Sequence, residues 1–286
     1  MTPDIVLPDF ETFAGQTYKG LDQPEEATAA TQALLTGDRE GEQPRIDAPG
    51  DNQVTLERGI NRDGTWYRDA EVRELTGSDE EAIAAAGVGS SPYRVFETVL
   101  MRGVVAIGGE PMTRKVAGEL LIGDRELLIM AIRRASFGEN LEFERLPCPH
   151  CEELVDLTVP LSAIPFTHLD DPERVEFEVF LRKGATGVVR LPNGADQEAV
   201  FGIKGNPARQ DSEILGRCVL RVVLADGTEI RRPPAQTLSM ADRQTLLRHL
   251  ADLQPGPRYG DMSFAHDACG EEVPLPISLA TLFRGL

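Results

Sequence analysis

The chain has 286 residues, 41% of them hydrophobic and 27% charged, the balance of a soluble globular protein long enough to bury one or two cores without disulfides. No apolar run nears the ~20 residues that a bilayer-spanning helix needs, which argues against a membrane role. The formal charge of −18 repels phosphate backbones, so direct nucleic-acid binding is not expected; solubility alone and attraction of a basic partner are the two readings of that charge.

The N-terminus, "MTPDIVLPDFETF", lacks the basic start and apolar stretch of a secretory signal, so a reducing cytoplasm is expected, with cysteines as thiols or metal ligands. Its Pro- and Gly-punctuated apolar residues, Phe10 and Phe13 among them, suit an extended arm lying on another surface, or a strand packed on its own domain. Residues 22–52, "DQPEEATAATQALLTGDREGEQPRIDAPGDN", carry few large apolar groups and read as an acidic linker or a partner-ordered arm. From Gln53 two alternating stretches flank "INRDG", whose Asp63-Gly64 pair predicts a tight hairpin. A helix is expected after Gly77, capped by Ser78 or Asp79. The stretch "SPYRVFETVLMRGVVAIGG" fits a short helix or a strand pair. The best helix follows an Asp124 cap, carries Leu127, Leu128, Met130, Ala131 and Ile132 on a wide apolar face, and ends at Gly138.

Further along, "VRLPNGADQEAV" (Val189 to Val200) echoes "VRELTGSDEEAI" (Val72 to Ile83). A strand stops, glycine supplies the turn, aspartate caps a helix, and glutamate and alanine fill its first turns. Turn chemistry alone can produce that likeness, and so can internal duplication. A third unit, "RCVLRVVLADGTEIRRPP" with "SMADRQTLLRHLADL", again reads as hairpin, cap and helix.

Two of the four cysteines stand in "LPCPHCEEL", Cys148 and Cys151. Near the other end, "HDACGEEVPLPISL" places His266 and Cys269 at the same spacing, and each pair is followed by Glu-Glu and an apolar strand. Zinc prefers four sulfur or imidazole ligands in a tetrahedron, and two two-ligand turns on separate hairpins would supply them. A redox pair normally opens a helix, whereas here Pro147 precedes and the strand-like "LVDLTV" follows. Two unrelated surface thiols remain the plain alternative. His150 lies inside the first turn and could replace His266; Cys218, in "GRCVLRVVL", reads as a buried small apolar residue.

A catalytic zinc would need an open position and a nearby base, but no H-x-E precedes "PCPHC" and no H-E-x-x-H occurs. No G-x-S-x-G elbow, phosphate loop or Rossmann fingerprint is present either. The expectation is a structural zinc held by Cys148, Cys151, His266 and Cys269, and no enzyme. The fold expected is α+β, with β-hairpins and short helices around a zinc-ribbon-like knuckle pair. Its parts are residues 1–52 as arm and linker, 53–145 as a strand–helix domain, and 146–286 as a β-rich zinc-ribbon domain with inserted hairpin–helix units.

The stretch "LLIGDRELLIMAIRRASFGENLEFERLPCPHCEELVDLTVPL" resembles the baseplate proteins of contractile-tailed phages, which share a G-D-R-E helix, an S-F-G turn and a hairpin with a C-P-x-C knuckle. His266 departs from that pattern, standing where a cysteine is expected. The resemblance implies a structural or chaperone role in forming a baseplate hub, in the host cytoplasm during assembly and in the virion tail. It implies other tail proteins as partners (hub, tube, tape measure), and it is compatible with a homo-oligomer. The competing class is an acidic zinc-ribbon adaptor that binds a host enzyme such as the transcription machinery.

Overall fold

Strand β1 (Gln53–Arg62) turns back into β2 (Thr65–Val72) through Asp63 and Gly64, both at positive φ, as the Asp-Gly pair predicts. This computed structural model describes residues 52–87 and 92–283, so the arm expected over residues 1–52 lies outside the described residues but for Asn52. Helix α1 (Gly77–Gly87) begins at Gly77, and Ser78 and Asp79, expected as its caps, therefore stand inside the first turn. The Asp79 carboxylate accepts from the Thr76 N–H at 2.9 Å and from both arms of the Arg73 guanidinium at 2.9 and 3.0 Å. Helix α2 (Pro92–Gly103) runs directly into β3 (Val104–Ile107), resolving the stretch that the sequence left as helix or strands. With β4 (Glu110–Pro111) the strands form an antiparallel sheet in the order β1-β2-β3-β4.

Thr113 caps the short α3 (Arg114–Glu119), and α4 (Ile122–Phe137) ends at Gly138 with φ 83, as its glycine predicts. Asp124 is no cap: the helix starts two residues earlier, and the carboxylate reaches out of it to β1. It accepts the backbone N–H of Glu57 (2.6 Å), Arg58 (3.2 Å) and Gly59 (2.9 Å), in the segment where β1 breaks register between Thr55 and Ile60. Those three donors have left the ladder, and a fully buried carboxylate replaces it.

The hairpin β5 (Asn140–Pro147) and β6 (Leu154–Pro160) follows, and then the short β7 (Phe166–Thr167). From there the course repeats. Strands β8 (Phe177–Phe180) and β9 (Thr186–Val189), helices α5 (Gly194–Phe201) and α6 (Pro207–Cys218), and strands β10 (Val219–Val223) and β11 (Glu229–Arg231) build a second antiparallel sheet in the order β8-β9-β10-β11. Helix α7 (Met240–Leu253), capped by Ser239, takes the place of α4. Next come β12 (Gly256–Pro257), which pairs with β7, the hairpin β13 (Ser263–Ala265) and β14 (Glu272–Pro274), and α8 (Leu279–Leu282).

The likeness extends to contacts that turn chemistry does not dictate. Arg190 forks onto Asp196 at 2.6 and 2.9 Å, as Arg73 does onto Asp79. The Arg73 N–H donates to Gly103 O (2.8 Å) and the Arg190 N–H to Cys218 O (2.9 Å), each where a helix passes into the third strand. Arg125 and Arg243, each following the first-turn aspartate of its helix, donate to Ala117 O and Ala235 O. Asp242, like Asp124, takes a strand-side backbone N–H, that of Arg182, at 3.0 Å. Internal repetition accounts for all of these together.

From Pro49 onward the chain is one unit with two apolar cores. The larger draws Leu56, Leu100, Ile107, Leu128 and Ile132 from the first half, and also Leu141, Phe143 and Val159 of one hairpin and Met262, Leu275 and Ile277 around the other. The smaller gathers Val189, Leu191, Leu215, Cys218, Val219, Leu246 and Leu250, with Leu121 inserted from the first half. Cys218 is fully buried there, as its setting predicts.

Candidate metal centre

Each pair of candidate ligands sits in the turn of a two-stranded hairpin, and the two turns are built alike. In the first, the Cys148 N–H donates to Glu153 O (2.9 Å) and the Glu152 N–H to Cys148 O (2.9 Å). In the second, the His266 N–H donates to Glu271 O (3.0 Å) and the Gly270 N–H to His266 O (2.7 Å). Such a turn needs left-handed backbone at its fifth residue, and Glu152 and Gly270 supply it with φ of 62 and 72. Glycine does this without strain; a glutamate there is held by its surroundings.

Packing of both hairpins into the larger core brings the turns together. Cys148, Cys151, His266 and Cys269 present ligand atoms that all lie within 4.8 Å of one another, close enough to hold a metal ion. Cys148 Sγ is 3.8 Å from Cys269 Sγ, and His266 Nδ1 is 3.4 Å from Cys151 Sγ and 3.3 Å from Cys269 Sγ. An ion about 2.3 Å from sulfur and about 2.0 Å from nitrogen, tetrahedrally placed, separates two sulfurs by about 3.8 Å and sulfur from nitrogen by about 3.5 Å. The donor set fits such an ion in chemistry and in spacing.

Cys148 and His266 are buried, and Cys151 and Cys269 are exposed, so the cluster is rooted in the core and open on one side. His266 turns Nδ1 to the sulfurs and Nε2 toward the Glu153 carboxylate, 3.9 Å away. Burial pushes the Cys148 thiol up, but the N–H groups of His150 and Cys151, with the Cys151 and Cys269 sulfurs, hold it down to about 6. For Cys151 the Glu153 N–H favours the thiolate, while burial and the neighbouring Cys148 and Cys269 drive the thiol above its usual range. His150 stands outside the cluster, and Cys218 lies in the other core.

Sequence spacing found all four clustered residues. What it missed are the buried polar contacts that hold strand ends to helix starts elsewhere in the fold: Asp124 on β1, and the Arg73–Asp79 and Arg190–Asp196 forks. The letters of both forks were present in the repeated V-R and D, without a sign that they touch.

The described residues thus define a mixed α/β protein with several small sheets and a Cys/His cluster able to hold a metal. Residues 110–248, just under half of the chain, match the family model for T4 bacteriophage base plate protein. Over those residues the chain is similar to baseplate proteins of phage type. The match takes in Cys148 and Cys151 and stops short of His266 and Cys269. Neither a curated protein nor a solved structure matches the chain. No helix among the described residues is long and apolar enough to cross a membrane.

Proposed function

We propose that the chain is a non-enzymatic structural or assembly component of the baseplate hub, clipped by one structural zinc ion on Cys148, Cys151, His266 and Cys269. The observation that carries the baseplate reading is the family match over residues 110–248. Zinc is favoured because three sulfurs and one imidazole suit it better than the oxygen-seeking cations, and the two hairpins then form a zinc ribbon. The ion's part is mechanical. It joins segments more than 110 residues apart in sequence, which brings the second hairpin permanently onto the first half of the protein. Residues 1–52 belong to the same proposal as an arm that engages a neighbouring tail protein, with Phe10 and Phe13 as apolar anchors.

Mass spectrometry of purified particles tests the hub assignment. A fixed copy number beside the tube and tape-measure proteins is expected for a permanent subunit, and presence only in assembly intermediates for a chaperone. Absence from both would refute the proposal. Elemental analysis of protein purified without chelator should give one zinc per chain, and Cys148→Ser should lose it. Sub-stoichiometric metal in the unsubstituted protein would end the zinc reading.

A further inference from the structure

The two halves of the molecule meet through a contact that is not returned. The segment leading into α4 lies against the start of α5: the Gly194 N–H donates to Leu120 O (2.9 Å), Leu121 bridges Asn193, and the Ile122 N–H points to Pro192 O at 3.4 Å. The fit is close enough that a Cβ on Gly194 would strike the Arg125 guanidinium and Ala117 O. Leu121 is buried in the second core as a result.

In a two-fold arrangement the same contact would recur with the halves exchanged. The counterpart of Gly194 is Gly77, at the start of α1, and the counterpart of Leu121–Ile122 is Ser239–Met240, at the start of α7. Among the described residues these do not meet. A Cβ on Gly77 has nothing within 4 Å, and Thr76, Gly77 and Ser78 are all exposed. Met240 is 79% exposed, and Phe180, on the strand beside α7, is 80% exposed; they are the two barest large apolar residues described. A contact between unlike surfaces leaves one of each unused at its two ends, and those ends fit each other on separate molecules.

We propose that a second copy of this chain docks head to tail, its Thr76–Ser78 turn seated against Ser239–Met240 and Phe180 of the first. The occupant is a second copy because this chain carries both surfaces, and its own α4–α5 contact is the pattern for their fit. The turn is fixed in both halves by the same fork, Arg73 on Asp79 and Arg190 on Asp196. The proposal does not depend on the metal or on the baseplate reading.

Sedimentation of the full chain over the micromolar range, in salt enough to screen the charge of −18, tests it. The mass is expected to rise with concentration. Met240→Glu and Gly77→Leu each alter an exposed position with room for the new side chain, and each should yield a monomer with an unchanged melting temperature. Mixing the two variants should restore a 1:1 dimer that grows no further, since one intact turn and one intact seat remain. A monomer at every concentration overturns the proposal. Association that survives both substitutions overturns it too, as does a mixture that stays monomeric.

Discussion

Asp124 shows how one side chain substitutes for a stretch of β-ladder. It is fully buried and accepts three consecutive backbone N–H groups, so removing the carboxylate strands donors that water cannot reach. Asp124→Ala should cost roughly 3 kcal/mol or more in urea unfolding. Asp242→Ala, which loses one strand N–H and the Ser239 cap contact, should cost about 1 kcal/mol. Glu126, on the same helix as Asp124, behaves differently. Burial raises its carboxyl to about 7, against the opposing pull of Arg258 and Arg125. Between its ordinary value of 4.5 and about 7 the folded state therefore holds a proton that the unfolded state has lost. The folded state binds more protons in that window, so its stability falls as pH rises through it. Glu126→Gln should gain on the unsubstituted protein across that range, by at most about 1.4 kcal/mol per pH unit, and the gain should level off above it. A difference that stays flat from pH 4.5 to 7 would contradict this.

Among the elements, the glycines at helix starts separate the two halves. Gly123 lets α4 approach Pro255 and Gly256, where a Cβ would strike the Pro255 carbonyl, and Gly194 admits Arg125 and Ala117 O. Because the obstacles include backbone, Gly123→Ala and Gly194→Ala should each cost more than about 2 kcal/mol in thermal or urea unfolding. Gly77→Ala, with open space around it, should fall within about 0.5 kcal/mol of neutral. Much at this level was legible in the sequence. Asp63-Gly64 marks its hairpin, Gly138 ends its helix, and the paired C-x-x-C and H-x-x-C spacings identify residues that the fold brings together. The caps were misread because Asp79 and Asp124 look like helix starters by type. Asp79 instead stands at the third helical position, accepting the Thr76 N–H and the Arg73 guanidinium, and Asp124 answers a bulged strand that no local pattern announces. Repetition was half visible: the V-R and G-x-D-x-E-A letters recur, but the contacts that distinguish duplication from turn chemistry exist only in three dimensions.

For the molecule as a whole, the Cys/His cluster joins two hairpins that are distant in sequence and share the larger core. The larger core already contains residues from both hairpins, and the ion would fix their turns on top of that packing. Structural zinc contributes on the order of 10 kcal/mol in small domains, so its removal should be felt, and unevenly. After chelation, hydrogen exchange should quicken over residues 140–160 and 262–283, with amides near Val189, Leu215 and Leu246 in the smaller core keeping their protection. Uniform loss of protection would instead mean that the two cores unfold together. The division of the cluster between distant segments also sets an order in time. The first turn leaves the ribosome with two ligands, and 115 positions separate Cys151 from His266, so many seconds of synthesis pass before the other two exist. A chain interrupted anywhere in that interval cannot close the tetrahedron. Tight zinc retention would thus report that translation had passed Cys269.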